Sequence, residues 1–222
     1  MTRTMVELYP LWLRIWHWLN AGLFVALLVS GISLHFSGDS IALLPFNTAR
    51  KLHNYCGWAM AALYPFWFIS SLLTGNWKHY CPTSKGLICC VFQQAKFYSW
   101  GIFRGEDHPF PSTPTCKFNP LQQIVYIVVT LLAMPVIIIT GMLFSFPNAI
   151  PEQLWGWDLL WIIAIIHYLT GLFLTTFLLG HLYLITCGET LTSELAKMTF
   201  GHQIENHMHF ESMELVSKED LL

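Results

Sequence analysis

Four stretches of this chain contain no Asp, Glu, Lys or Arg: residues 15–38, 52–77, 118–151 and 159–188. Each has at least 24 residues, and about 20 apolar residues suffice for a helix to cross a bilayer. Such segments leave a chain few places to fold except lipid, because backbone polar groups there must pair internally, and a helix does this within one segment. Composition agrees. Of 222 residues 55% are hydrophobic and 11% charged, against about 25% charged in a soluble domain. This balance excludes a disordered chain and argues against a soluble globule. Eleven scattered cations at a net charge of −2 build no basic face for nucleic acid. The sequence predicts an all-α integral membrane protein, one four-helix transmembrane bundle. Its spans run approximately over 12–35, 52–75, 119–146 and 158–186, followed by a polar tail over 189–222.

Charge sets the expected orientation. With the N-terminus inside, the inner segments hold Arg3, Arg14, Lys78, Lys85, Lys96, Arg104, Lys117, Lys197 and Lys218. The outer segments hold only Arg50 and Lys51. This is a positive-inside bias, and it puts both termini in the cytoplasm. The first span ends in a polar break without a small-residue cleavage site, so it reads as retained rather than as a signal peptide. Residues 86–103 are apolar but carry Gln93, Gln94 and Lys96 near their middle. A lysine at mid-bilayer costs about 2.5–3.5 kcal/mol, so an interfacial helix on the cytoplasmic side is expected there.

Four of ten histidines lie in the spans: His17, His53, His167 and His181. An ionisable residue inside a membrane is expensive and points to function, although any one of them could simply hydrogen-bond a neighbouring helix. Their arrangement separates the two readings. His167 and His181 are 14 residues apart, about 21 Å along one helix and nearly on one face. The predicted topology puts His17 beside His181 at the inner level and His53 beside His167 at the outer level. Two facing imidazoles at each of two depths suit two haem irons, each with ligands on opposite faces of a porphyrin. A zinc site would instead gather four ligands at one point. C-x-x-C-H does not occur, so the haems would be b-type. Arg14 and Arg50 each precede a histidine by three residues and are candidates for haem propionates, the alternative being ordinary interfacial anchors. Gly31 and Gly57 could let a ring approach the backbone.

R-I-W-H-W-L-N at 14–20, H-x-x-x-G at 53–57, K-F-N-P-L-Q-Q at 117–123 and the His167–His181 pair resemble the dihaem cytochrome b subunits of respiratory oxidoreductases. That group includes the gamma subunit of formate dehydrogenase and the b-type cytochromes of nickel–iron hydrogenases. The loop sequences Gly75–Tyr80, Phe97–Pro109 and Lys117–Gln122 resemble the thiosulfate-reductase-type cytochrome b subunit. The resemblance extends to about Gly201. It implies two b haems held by His17/His181 and His53/His167, in a prokaryotic inner membrane. It also implies a quinone site by the inner haem, with Asn119 at the position of the family's quinone-site asparagine. Electrons would pass from menaquinol or ubiquinol, outward through both haems, to an iron–sulfur subunit and a molybdopterin reductase on the periplasmic face. The chain is then an electron-transfer subunit that oxidises quinol at its own inner-side site.

Asn119 and Gln122 suit this chemistry in their own right, since an amide can donate to a quinone carbonyl, although Asn before Pro is also an ordinary helix start. Glu106, Asp107, His108 and Lys117 lie in the adjoining loop and could relay protons or simply be solvated. Pro135 should kink the third span. Five of the six cysteines, Cys81, Cys89, Cys90, Cys116 and Cys187, fall on the reducing side, with Cys56 in a span, so disulfides are not expected. A zinc site from Cys81, Cys89, Cys90, Cys116 and His79 lacks any C-x-x-C spacing. His202, His207 and His209 sit without helical period in what reads as a solvated tail. Two other readings stay open: flow reversed, from a formate dehydrogenase or hydrogenase into quinone, and a haem-free transporter or scaffold with structural histidines.

Overall fold

The computed structural model describes residues 4–82, 86–110, 117–154, 156–188, 190 and 192–205. Arg3, Lys85, Cys116, His207, His209 and Lys218 lie outside the described residues. Four helical rods are long and apolar enough to cross a membrane: Leu11–His35, Phe46–Leu73, Pro120–Ser145 and Leu159–Ile185. A short strand, β1 (Thr4–Glu7), leads into the first rod, α1 (Leu11–His35). The second, α2 (Phe46–Leu73), begins after Pro45. Its start lies six residues before the one expected from charge, because Asn47–Lys51 are helical although polar. His53 therefore stands two turns inside the helix instead of opening it. The α1–α2 turn is pinned where the Leu44 amide donates to Ser33 Oγ, 3.1 Å away.

Residues 86–103 form the expected short helix, α3 (Leu87–Ser99), closed by a 3₁₀ turn over Gly101–Arg104. Thirteen residues span only about 20 Å at 1.5 Å each, too short to cross. One face buries Gln94, Phe97 and Tyr98, while Phe92 and Lys96 are exposed, the pattern of a helix lying at an interface.

The third rod is not one continuous α-helix. It runs as α4 (Pro120–Ile127), a π-helical segment over Val128–Ala133, and α5 (Met134–Ser145). Pro135 is the physical cause. The Met134 amide donates five residues back, to the Val129 carbonyl. In that register the Thr130 carbonyl would need the amide of residue 135, and proline has none. Tyr64 of α2 fills the gap: its hydroxyl donates to the Thr130 carbonyl at 2.9 Å. The kink expected at Pro135 is thus realised as a π segment ahead of it.

A two-strand turn, β2 (Gln153–Leu154) with β3 (Trp157–Asp158), joins α5 to the fourth rod, α6 (Leu159–Ile185). Asp158 caps α6 by accepting from the Trp161 amide at 3.2 Å. The described part of the tail, up to Glu205, forms α7 (Ser193–Phe200) and a strand, β4 (His202–Glu205), which pairs antiparallel with β1. Within it Lys197, nearly buried, bonds Glu194 at 2.7 Å. The described start and end of the chain therefore meet at one end of the bundle.

α1 packs on α2, α5 on α6, and α2 on α5. Met60, Val129, Ala133, Met134 and Leu174 form the buried core. Phe24 and Leu27 of α1 close it, so all four rods contribute to an apolar plug at mid-bundle.

Candidate functional site

The four span histidines meet in two pairs, one on each side of that plug. The His17 and His181 ring centroids are 6.2 Å apart, and those of His53 and His167 6.3 Å. These separations can be tested against a shared metal ion. A metal–imidazole nitrogen bond is about 2.0 Å, and a five-membered ring with bonds near 1.33 Å has a radius of roughly 1.1 Å. Two imidazoles bonded to opposite sides of one ion therefore have centroids about 6.3 Å apart. Both pairs fit. Other ring pairs in the fold also reach 6.0–6.4 Å, so the spacing accommodates a shared ion, and what points to one is that both pairs are two imidazoles.

The His53–His167 pair, expected at the outer level, is also oriented. Ser30 Oγ lies 3.0 Å from His53 Nδ1, and Thr140 Oγ1 lies 2.9 Å from His167 Nδ1. Each hydroxyl spends its one proton on a carbonyl of its own helix, Ala26 at 2.6 Å and Val136 at 2.7 Å. The hydroxyl oxygens can then only accept, so each Nδ1 carries its hydrogen. Nε2 of each ring keeps its lone pair for a metal. Gly31 and Gly141 make room for the rings. An added Cβ would stand 3.4 Å from His53 Cε1 and 3.2 Å from His167 Cε1. Gly31 thus accommodates the histidine itself, and a Cβ on Gly57 would meet nothing within 4 Å.

A cavity of about 1040 Å³ surrounds the His53–His167 pair and includes Gly57 in its wall. Drug-sized ligands occupy about 300–1,000 Å³, so a macrocycle is within its range. Besides the two histidines, its polar lining includes His35, Asn54, Ser145, Tyr168 and Thr175, with the His35 ring stacked on Tyr168 at 4.9 Å. Arg50 is exposed and does not line this cavity.

The His17–His181 pair, expected at the inner level, is built differently. His17 Nδ1 is buried with no hydrogen-bond partner among the described residues, and His181 stacks on Phe177 at 5.8 Å. Arg14 Nη1 donates to the Thr199 carbonyl at 2.9 Å, tying α1 to the end of α7, while its Nε is buried without a partner among the described residues.

Asn119 and Gln122 form a reciprocal capping box at the start of α4. Asn119 Oδ1 accepts from the Gln122 amide at 2.9 Å, and Gln122 Oε1 accepts from the Asn119 amide at 3.1 Å. The remaining Asn119 donor, Nδ2, reaches the Tyr98 hydroxyl at 2.9 Å. His108 Nε2 lies 3.4 Å from the same hydroxyl, and its Nδ1 accepts from the Phe110 amide. The wholly buried Gln94 amide neighbours Tyr98 as well. Burial raises the Tyr98 phenol to about 12, an effect that the Asn119 bond partly offsets. Burial also lowers the His108 pKa, favouring its neutral form. Of the other loop residues, Glu106 and Asp107 are exposed, and Lys117 stands over the Tyr9 ring at 5.8 Å.

Cys56, Cys81, Cys89 and Cys187 carry free thiols. Among the described residues no three of His, Cys, Asp and Glu gather as a metal ion would need. Ser30 and Thr140 were not singled out from sequence, while Tyr98 stood only within the Phe97–Pro109 motif and Gln94 only as a polar residue near the middle of 86–103. The only available signal was the repeated hydroxyl–glycine dipeptide, Ser30–Gly31 and Thr140–Gly141.

Four apolar rods with two facing histidine pairs define a membrane-embedded b-type cytochrome. The chain belongs to the prokaryotic cytochrome b561 family, whose family model matches residues 8–201. It is 34% identical over 197 residues to a protein of Escherichia coli (strain K12) named "Putative cytochrome YdhU", covering 89% of this chain and 74% of that one.

Proposed function

We propose that this chain is a dihaem, quinone-reactive membrane anchor. It takes electrons from membrane quinol and passes them through two b haems to an iron–sulfur and molybdopterin reductase on the outer face of a prokaryotic inner membrane. The observation that carries the reading is the spacing of the two histidine pairs, each matched to a shared ion. Haem, when bound, supplies an iron centre that takes up and releases one electron at a time. His17 and His181 would hold one, His53 and His167 the other.

The chain's own residues do the rest. Gly31 and Gly141 admit the histidine rings. The core around Met60, Met134 and Leu174 keeps water from the space between the pairs. His35, Asn54, Ser145 and Tyr168 are better placed than Arg50 to meet carboxylates of an outer porphyrin. At the inner end, the Asn119–Tyr98–His108 chain offers a quinol a hydroxyl already bonded to an amide and an imidazole. Such a chain can accept and pass on a proton. Thiosulfate-reductase-like direction rests on the loop sequences alone, and quinone and partner rest on the same resemblance.

The test is the purified protein's visible spectrum and its haem content. Two reducible b haems per chain are expected. Replacing His181 with Ala should remove one haem and abolish quinol oxidation while the second haem remains. A colourless wild-type preparation, or loss of only the outer haem in His181→Ala, overturns the assignment.

A further inference from the structure

The two histidine pairs share a spacing but not a setting, and the difference has a redox consequence. Around the outer pair each Nδ1–H is held by a hydroxyl, Ser30 at 3.0 Å and Thr140 at 2.9 Å. Ser30 is completely buried and Thr140 nearly so, so water does not compete for these bonds. At the inner pair, His17 Nδ1 is buried and meets no acceptor among the described residues.

An acceptor on Nδ1 draws electron density toward Nε2 and makes the ring a stronger donor to the metal. A stronger donor favours the ferric ion, which carries the extra positive charge. Low dielectric around Ser30 and Thr140 strengthens the effect. A ring without such a partner is a weaker donor and is also less fixed in rotation.

We infer that Ser30 and Thr140 are positioning residues that fix the outer histidines as Nδ1–H donors and hold the outer haem iron at a lower reduction potential than the inner. The step concerned is uptake of one electron by Fe(III) to give Fe(II), with no bond broken at the imidazole and no proton transferred from Nδ1. The inference rests on the two-haem reading above. It also gives Ser30–Gly31 and Thr140–Gly141 one shared purpose: the hydroxyl orients the ring that the glycine admits.

The experiment is a redox titration of the purified haem-loaded protein, with dithionite as reductant. It follows the visible bands and the low-spin ferric electron paramagnetic resonance signals of wild type, Ser30→Ala, Thr140→Val and Thr140→Ser. In Thr140→Val the lower of the two midpoints should rise by about tenfold in the ferric–ferrous equilibrium, about 59 mV for one electron. The other midpoint should stay in place. Thr140→Ser, which keeps the hydroxyl, should titrate like wild type, a rescue that packing alone would not produce. Ser30→Ala should shift the same haem in the same direction, and it serves alone if Thr140→Val does not accumulate. Unchanged midpoints and resonance signals in Ser30→Ala and Thr140→Val overturn the inference while leaving two haems in place. A wild type that binds no haem overturns the functional reading instead.

Discussion

Asn119 uses one amide for two tasks: its oxygen caps α4 and its nitrogen bonds Tyr98. The tasks can be separated by substitution. Serine is as good an N-cap as asparagine but offers no amide donor. Asn119→Ser should therefore keep the thermal midpoint near wild type, while quinol-driven haem reduction, followed by stopped flow, falls about 10²-fold. Asn119→Ala should lose both, with about 1 kcal/mol of stability gone with the cap. His108 provides a pH dependence whose sign is fixed. Burial lowers its pKa in the fold, so an unfolded or opened loop binds the proton more readily. Stability from this group is complete above about pH 6.5 and is lost as pH falls below that value toward the lowered one. Protection factors of the amides around residues 101–110, taken relative to the intrinsic exchange rate at each pH, should fall on acidification through that window, and His108→Gln should flatten the response. The capping half of Asn119 was legible from Asn before Pro. The Tyr98 contact was not, because Tyr98 and Asn119 are 21 residues apart and only the docking of α3 on α4 brings them together.

The rods themselves were readable because lipid forbids charge: gaps in the charged residues mark what the bilayer covers. The same reasoning gives the charge-free span and not the helix start, and α2 begins at Phe46. Absence of charge reports burial in lipid and not helix extent, and Asn47–Lys51 continue the helix into the polar region. The π segment was only half visible. Pro135 announced a break, but its form depended on Tyr64, a residue of another helix. Tyr64→Phe should leave the Thr130 carbonyl without its partner and cost about 1 kcal/mol. Thermal unfolding in detergent would measure this, with both haem spectra retained at low temperature. Hydroxyls such as Ser30 and Thr140 gave no distinct signal, since serine and threonine inside helices ordinarily bond the carbonyl four residues back, as these two also do. Their second partner is what sets them apart, and it appears only when α1 meets α2 and α5 meets α6.

At the scale of the whole molecule, β1 pairing with β4 brings the described ends of the chain together on the His17–His181 side. Antiparallel strands at the bundle's end were beyond the hydropathy pattern, which reads the tail as merely polar. The most far-reaching arrangement is that α6 supplies a histidine to both pairs. One alanine inserted after Leu174 would turn His181 by about 100° relative to His167. Such a variant should keep one haem and lose the other by haemochrome assay, and a variant that kept both would contradict the shared role. On the two-haem reading proposed above, a single covalent rod would serve as the ruler of the electron path. Hydrogen-bonded backbone fixes the two histidines of α6 about 21 Å apart along the axis, so the spacing of groups held by them would not follow swelling or thinning of the surrounding lipid.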